Sequence, residues 1–274
     1  MYNKFMERIG IVYNNSFKNA DEVAKKIKDL FAKKNIASEI FNLNNLKDNI
    51  DFAISIGGDG TLLKTARFYS DYSIPVFGVN IGHLGFLSQV QSEQIDEAVS
   101  QIEKSEFKIE ERIMLEASVS DKKMYALNDI VIKGCTFART SRFNIYINDK
   151  FVCEYLADGV IISTPTGSTA YNLSAGGPIL YPTLEAITLV PICPHTISAR
   201  PLVIPSSEKI SVIAQSADLK LHINADGQNV IDCTEKITIK KASKKAHLML
   251  LTSQNNEFYS ILRQKLNWGT APKP

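Results

Sequence analysis

Cysteine is scarce in this chain: Cys135, Cys153, Cys193 and Cys233 are the only four in 274 residues. No two of them form a C-x-x-C pair, and none stands beside histidines at zinc-ligand spacing. That excludes a zinc finger or a thioredoxin-type motif. Three sit within apolar runs, where a free cysteine packs as a small hydrophobe, so a reducing compartment without disulfides is expected. An excess of one charge is also missing. Against 31 Lys and Arg stand 29 Asp and Glu, a net charge of +2, too even for the concentrated basic face of a nucleic-acid binder. No stretch reaches the ~18 apolar residues of a membrane span. The opening MYNKFMERIG lacks the apolar core of a signal peptide. The expectation is a cytoplasmic protein with neither nucleic acid nor membrane as partner.

What is present is a globular composition, 45% apolar and 22% charged, on a chain long enough for one large domain or two modest ones. Its patterning has two styles. Arg8–Tyr13, Ala37–Phe41, Phe52–Ile56 and Ile74–Val79 read as strands. Between them, Asn19–Lys34 and Thr61–Tyr69 carry helical spacing. Val23, Ile27, Leu30 and Phe31 share one face of the first helix, with Asn19 and Glu22 as a capping arrangement. Such alternation predicts a parallel sheet covered by helices. From about residue 105 short β-branched runs take over. Hairpins are expected at Asn148–Asp149 and Asp226–Gly227. The basic stretch Lys240–Lys245, between Lys236–Ile239 and His247–Leu251, reads as a solvated hairpin turn. The expected domains are an α/β part over 1–104, a β-rich part over 105–256, and a terminal helical segment, 257–274, returning to the first.

The chemistry is concentrated in two segments. The first is Gly57-Gly58-Asp59-Gly60-Thr61, between a strand and a helix. Strand, glycine turn and helix N-terminus form an anion site, because free N–H groups and the helix dipole face the ligand. It is neither a P-loop nor a G-x-G-x-x-G fingerprint. Asp59 is unexpected there, since a carboxylate repels phosphate. It either accepts a proton from an attacking hydroxyl, holds a metal ion, or caps the following helix. The second segment is Thr164-Pro165-Thr166-Gly167-Ser168-Thr169-Ala170-Tyr171-Asn172-Leu173-Ser174-Ala175-Gly176-Gly177-Pro178. Hydroxyls, small residues, one aromatic and two glycine turns suit a nucleotide, or else a Ser/Thr-rich loop between strands.

Together these segments resemble the NAD kinase family. The resemblance extends to the run Gly78–Leu87, to Asn128-Asp129, to Asp226-Gly227-Gln228 and to Leu266-Asn267-Trp268-Gly269, spanning about residues 8–269. The glycine turn alone is shared with phosphofructokinases and diacylglycerol-type lipid kinases; the Thr-Pro-Thr-Gly-Ser-Thr-Ala-Tyr run is the specific part. The resemblance implies an N-terminal α/β domain with a parallel sheet of that superfamily, a β-rich C-terminal domain, and a site between them. The implied reaction moves the terminal phosphoryl group of ATP onto the 2′-hydroxyl of the adenosine ribose of NAD+. It also implies polyphosphate as a possible alternative donor, a divalent cation (Mg2+ arriving with ATP), and a homodimer or homotetramer. Carried over by motif, Asp59 is the base, Gly60 its binding neighbour and Lys64 a basic contact to the dinucleotide. Asn128 and Asp129 hold the adenosine part. Asp158 and Thr169, Ala170, Tyr171, Asn172, Leu173 and Ser174 line the NAD site, with Gln228 and Arg139 as further contacts. Leu156 stands where many bacterial members carry a basic residue, so only its backbone could make a polar contact.

Other candidates carry less. His83, His195, His222 and His247 each stand alone, and Ser206-Ser207-Glu208-Lys209 has the S-x-x-K spacing without its companion motifs. Two rivals remain at this stage: a lipid or sugar kinase of the same superfamily, and a dinucleotide sensor without turnover. Asp59 argues against the sensor, because a pure binder gains nothing from a carboxylate facing phosphate.

Overall fold

A computed structural model describes residues 7–82, 85–88, 90–134, 140–214, 220–234, 236–252 and 258–269. In chain order the elements are β1 (Arg8–Tyr13), α1 (Ala20–Ala32), β2 (Ala37–Asn42), β3 (Phe52–Gly57), α2 (Asp59–Tyr69), β4 (Val76–Asn80), β5 (Val90–Gln91) and α3 (Ile95–Glu103). Then come β6 (Phe107–Val119), β7 (Lys122–Ala126), β8 (Asp129–Gly134), β9 (Ser141–Ile147), β10 (Lys150–Ala157), β11 (Gly159–Ser163) and the single turn α4 (Tyr171–Ser174). β12 (Ala186–Ile192), β13 (Leu202–Pro205), β14 (Ile210–Ala214), β15 (Leu221–Ala225), β16 (Asn229–Cys233), β17 (Ile237–Leu251) and α5 (Phe258–Leu266) complete the chain. It divides into two compact units, Met1–Glu111 with Ala246–Pro274, and Arg112–Lys245.

In the first unit β2, β1, β3 and β4 lie side by side, every pair parallel. Ile54 and Ile56 of β3 join a core with Ile27 and Phe31 of α1 and Val99 and Ile102 of α3. Ser55 points to the other face, as strand alternation requires, and its hydroxyl meets Thr65 of α2 at 3.1 Å. Helices therefore cover both faces of this sheet. After β1 the chain moves to one side, and β3 lies on the other. The carboxyl ends of β1 and β3 thus flank a topological switch point, where open α/β sheets take their ligands.

The second unit is built from antiparallel strands. One sheet runs β13-β12-β11-β8-β15-β16. Phe143 and Ile145 of β9, Val212 of β14 and Ile237 of β17 share a core with Ile130 and Ile132 of β8 and Val160 and Ile162 of β11. Asn148 and Asp149 both have positive φ, 49° and 61°, the primed hairpin turn that Asn and Asp tolerate. Asp226 and Gly227 make the β15–β16 turn in the same way, at 54° and 69°.

Two expectations are corrected. Lys240–Lys245 is no turn; it lies inside the continuous strand β17. Three of its lysines find partners nearby: Lys240 faces Glu116 at 3.5 Å, Lys241 faces Glu185 at 2.7 Å, and Lys244 covers the Tyr125 ring at 3.9 Å. Ala242 between them and Ala246 just after them are buried. Asn19 precedes α1 in a left-handed conformation, φ 65°, and its side chain makes no capping hydrogen bond, so the expected cap with Glu22 is absent. On α1, Ala20, Ala24, Ile27 and Phe31 are buried, while Val23 and Leu30 only flank the core. Phe143→Ala should lower stability by about 3–5 kcal/mol, read as an earlier midpoint in urea unfolding followed by fluorescence and circular dichroism.

Candidate active site

The glycine turn stands at the switch point. Every residue of β3 is buried. A β-carbon on Gly57 would lie 2.4 Å from Thr61 Oγ1, so only glycine lets the chain fold back onto α2. Asn14, just past β1, donates from Nδ2 to that same Thr61 Oγ1 at 3.0 Å. At the end of β4, Asn80 lies beside Gly57 in register and is 1% exposed. Its Nδ2 has no hydrogen-bond partner among the described residues.

Asp59 is the first residue of α2, and Gly58 is the cap. Asp59 therefore does not occupy the cap position itself. The carboxylate turns to the segment after β4 instead. Oδ2 accepts the Phe86 N–H at 2.7 Å, and Oδ1 accepts the Ser88 hydroxyl at 3.2 Å and the Leu87 N–H at 3.4 Å. Gly60 is exposed on the first turn of the helix. Lys64, one turn on and half-buried, donates from Nζ to Asn44 Oδ1 at 2.7 Å.

The second unit has its own organised cluster. Asp226, in the β15–β16 turn, accepts three backbone N–H groups: Leu127 at 3.0 Å, Asn128 at 2.7 Å and Asp129 at 3.3 Å. Thr164 closes the other side, its hydroxyl donating to the Leu127 carbonyl at 2.6 Å and its N–H to the Asn128 carbonyl at 2.8 Å. A β-carbon on Gly167 would lie 2.3 Å from that Asn128 carbonyl oxygen. The Asn128 backbone is therefore locked, while its side-chain Oδ1 is left without a partner among the described residues. Asp129 is buried, and its carboxyl is pushed up from 3.8 to about 7, first by desolvation and then by the charge of Asp226.

In the hydroxyl-rich segment the structure separates inner from outer residues. Asn172 is fully buried. It donates from Nδ2 to the carbonyls of Ser168 and Pro178, at 3.1 and 3.2 Å, and accepts the Thr188 hydroxyl at 2.7 Å. Its side chain thus holds the loop from within. Tyr171 and Ser174 face outward, with Thr169, Ala170 and Leu173 half-buried. Lys133 of β8 donates to the Tyr171 hydroxyl at 2.9 Å and sits 4.9 Å from its ring centre. Leu156 is half-buried and its carbonyl accepts the His195 N–H at 2.9 Å. Asp158 and Gln228 are exposed, and their N–H groups bond the carbonyls of Ile192 and Ala225. Arg139, His83 and Cys135 lie outside the described residues.

Chain comparisons bear on this arrangement. Residues 10–107 match the family model of the ATP-NAD kinase N-terminal domain, and residues 127–251 that of the ATP-NAD kinase C-terminal domain. The chain belongs to the NAD kinase family. An NAD kinase of Thermoanaerobacter sp. (strain X514) is 42% identical over 253 residues, 90% of this chain and 83% of that protein. An NAD kinase of Clostridium beijerinckii is 38% identical over 275 residues, 95% and 96% of the two chains. The crystal structure of an NAD kinase from Archaeoglobus fulgidus in complex with ATP superposes with a TM-score of 0.78 at 30% identity. It covers 95% of this chain and 98% of that one.

Within this NAD kinase fold, sequence reasoning missed Asn14, Asn44, Lys133 and the partners of Asp59. It quoted Asp226 as part of a turn but did not see the three N–H groups it gathers. The Asp-Gly pair of a hairpin was the available signal; for Lys133 and Asn44 there was none. Asp129 also yields a prediction. In the unfolded chain its carboxyl ionises near 3.8, whereas in the fold it keeps its proton to about 7. The penalty is absent below pH 4, grows between pH 4 and 7, and is complete above. Asp129→Asn should therefore gain on the order of 2–4 kcal/mol relative to the parent at pH 8 and little at pH 4. Thermal melts of both proteins across that range measure it.

Proposed function

We propose that this protein transfers the terminal phosphoryl group of ATP to the 2′-hydroxyl of the adenosine ribose of NAD+, giving NADP+ and ADP. Two things carry the reading: membership of the NAD kinase family, and a carboxylate anchored at a glycine turn with no part in capping its helix. A ribose hydroxyl is a weak nucleophile. Asp59 takes its proton as the 2′-oxygen bonds to the γ-phosphorus and the bond to the bridging oxygen of ADP breaks. Base catalysis of this kind contributes about 10²–10⁴-fold. The start of α2, with Gly58 and Gly60 presenting backbone, suits phosphate oxygens, and Lys64 adds positive charge.

In this reading the second unit holds the dinucleotide. Asn128 offers its side-chain oxygen, and Asp129, Thr169, Ala170, Tyr171, Leu173, Ser174, Asp158 and Gln228 line the same binding region. Asn172 supports it from inside, Leu156 through its backbone, and Arg139 is a further contact. Among the described residues no three His, Cys, Asp or Glu side chains gather as a metal cage, and the glycine turn supplies one carboxylate, that of Asp59. That donor set fits a divalent cation such as Mg2+ that arrives on the triphosphate and keeps most of its water. When bound, the cation neutralises phosphate charge and orients the triphosphate. We further place the protein in the cytoplasm, where the thiols of Cys153, Cys193 and Cys233, none of them in a disulfide, stay reduced, and expect it to assemble as a homodimer or homotetramer. No helix among the described residues is long and apolar enough to cross a membrane.

The purified protein with NAD+, ATP and Mg2+ should yield NADP+, detected with an NADP-specific dehydrogenase. Polyphosphate and NADH are tested in place of ATP and NAD+. Asp59→Asn should slow turnover by about 10²–10⁴-fold. Turnover equal to the parent's would remove Asp59 from the base role, and no product with any donor would overturn the assignment.

A further inference from the structure

The segment from Gly85 to Ser88 encloses Asp59. Among the described residues, its N–H groups and one hydroxyl supply the hydrogen bonds to the carboxylate: Phe86 at 2.7 Å, Ser88 at 3.2 Å and Leu87 at 3.4 Å. Gly85 lies flush against the same group. A β-carbon there would stand 1.9 Å from Oδ1, 2.2 Å from Cγ and 2.3 Å from Oδ2. The segment in turn rests on β4. Ser88 is buried, and its Cα is 3.0 Å from where Gly78 would carry a side chain. Two glycines thus bring a strip of backbone donors down onto one carboxylate.

The physical need is clear. A short aspartate side chain has three staggered χ1 wells, and next to a polyanion it is repelled toward whichever leads away. A brace of donors selects one well. A carboxylate offers about four lone-pair positions; the brace engages three, and among the described residues nothing occupies the fourth, which can receive a proton.

We infer that Gly85 and Ser88 are positioning residues for the base: they hold the Asp59 carboxylate in its working orientation and set the turnover rate without contributing to dinucleotide affinity. This rests on Asp59 being the base. Gly85→Ala places a methyl group where the carboxylate now sits, and the carboxylate, at the end of a rotatable side chain, is the group that yields.

The test is steady-state kinetics of the full-length protein with NAD+, ATP and Mg2+, in parent and Asp59→Asn backgrounds. Gly85→Ala should lower kcat about 10–100-fold with KM for NAD+ changed less than about 3-fold. In the Asp59→Asn background the same change should cost less than about 2-fold, because the brace has nothing left to position. Ser88→Ala adds no atom and should show the same pattern at about 3–10-fold, which keeps the test open if Gly85→Ala fails to fold. Equal losses in both backgrounds, or a rise in KM that accounts for the loss, would overturn the inference. If Asp59→Asn itself turned over like the parent, the base assignment would fall instead, a result separate from either of these.

Discussion

On the proposed function, the Asp59 carboxylate works beside phosphate and must be held against repulsion; the hydrogen bonds from Phe86, Leu87 and Ser88 to it would meet that demand. Much of the first unit follows from it. The glycine turn puts Asp59 at the head of α2. Gly78 lets the next loop settle on β4, and Gly85 lets that loop touch the carboxylate. The second unit uses the same device for a different purpose: Asp226 gathers the N–H groups of Leu127, Asn128 and Asp129. There the carboxylate serves the backbone, fixing the chain at Asn128 just ahead of β8. Charge-assisted bonds to backbone N–H groups are among the stronger ones a protein makes, which suits them to setting loops that carry function.

Topology decides where these devices stand. In the parallel sheet, β1 and β3 diverge after their carboxyl ends, so Asn14 and the glycine turn share one crevice and meet at Thr61. The antiparallel unit places β8 at the middle of its sheet, between β11 and β15. Asn128, Thr164 and Asp226 therefore leave three neighbouring strand ends together, and their mutual bonding needs no long loop.

Much of this was legible in the sequence. The strand–helix alternation of residues 8–80 gave the parallel sheet, because period and glycine turns are local signals. Asn148–Asp149 and Asp226–Gly227 were readable as hairpins, since primed turns demand residues that accept positive φ. The glycine turn and the hydroxyl-rich segment stood out by composition. What escaped depends on partners distant in sequence. Four lysines in six residues look like a solvated turn until Glu116, Glu185 and Tyr125 are seen opposite them. Asn172 reads as one more polar loop residue, yet it is the buried post on which that loop hangs. Asp59 could have been a cap, and only the loop 27 residues on shows what its oxygens bond.

The central claim is that Asp59 acts on the transferring group and not on binding. The dissociation constant for NAD+ in the Asp59→Asn protein, set beside its kcat, tests it most directly. Calorimetric titration should give a constant within about threefold of the parent's although turnover is nearly lost, as expected for an interaction made only in the transition state. Binding weakened as much as kcat/KM would contradict the account and make Asp59 a substrate anchor instead.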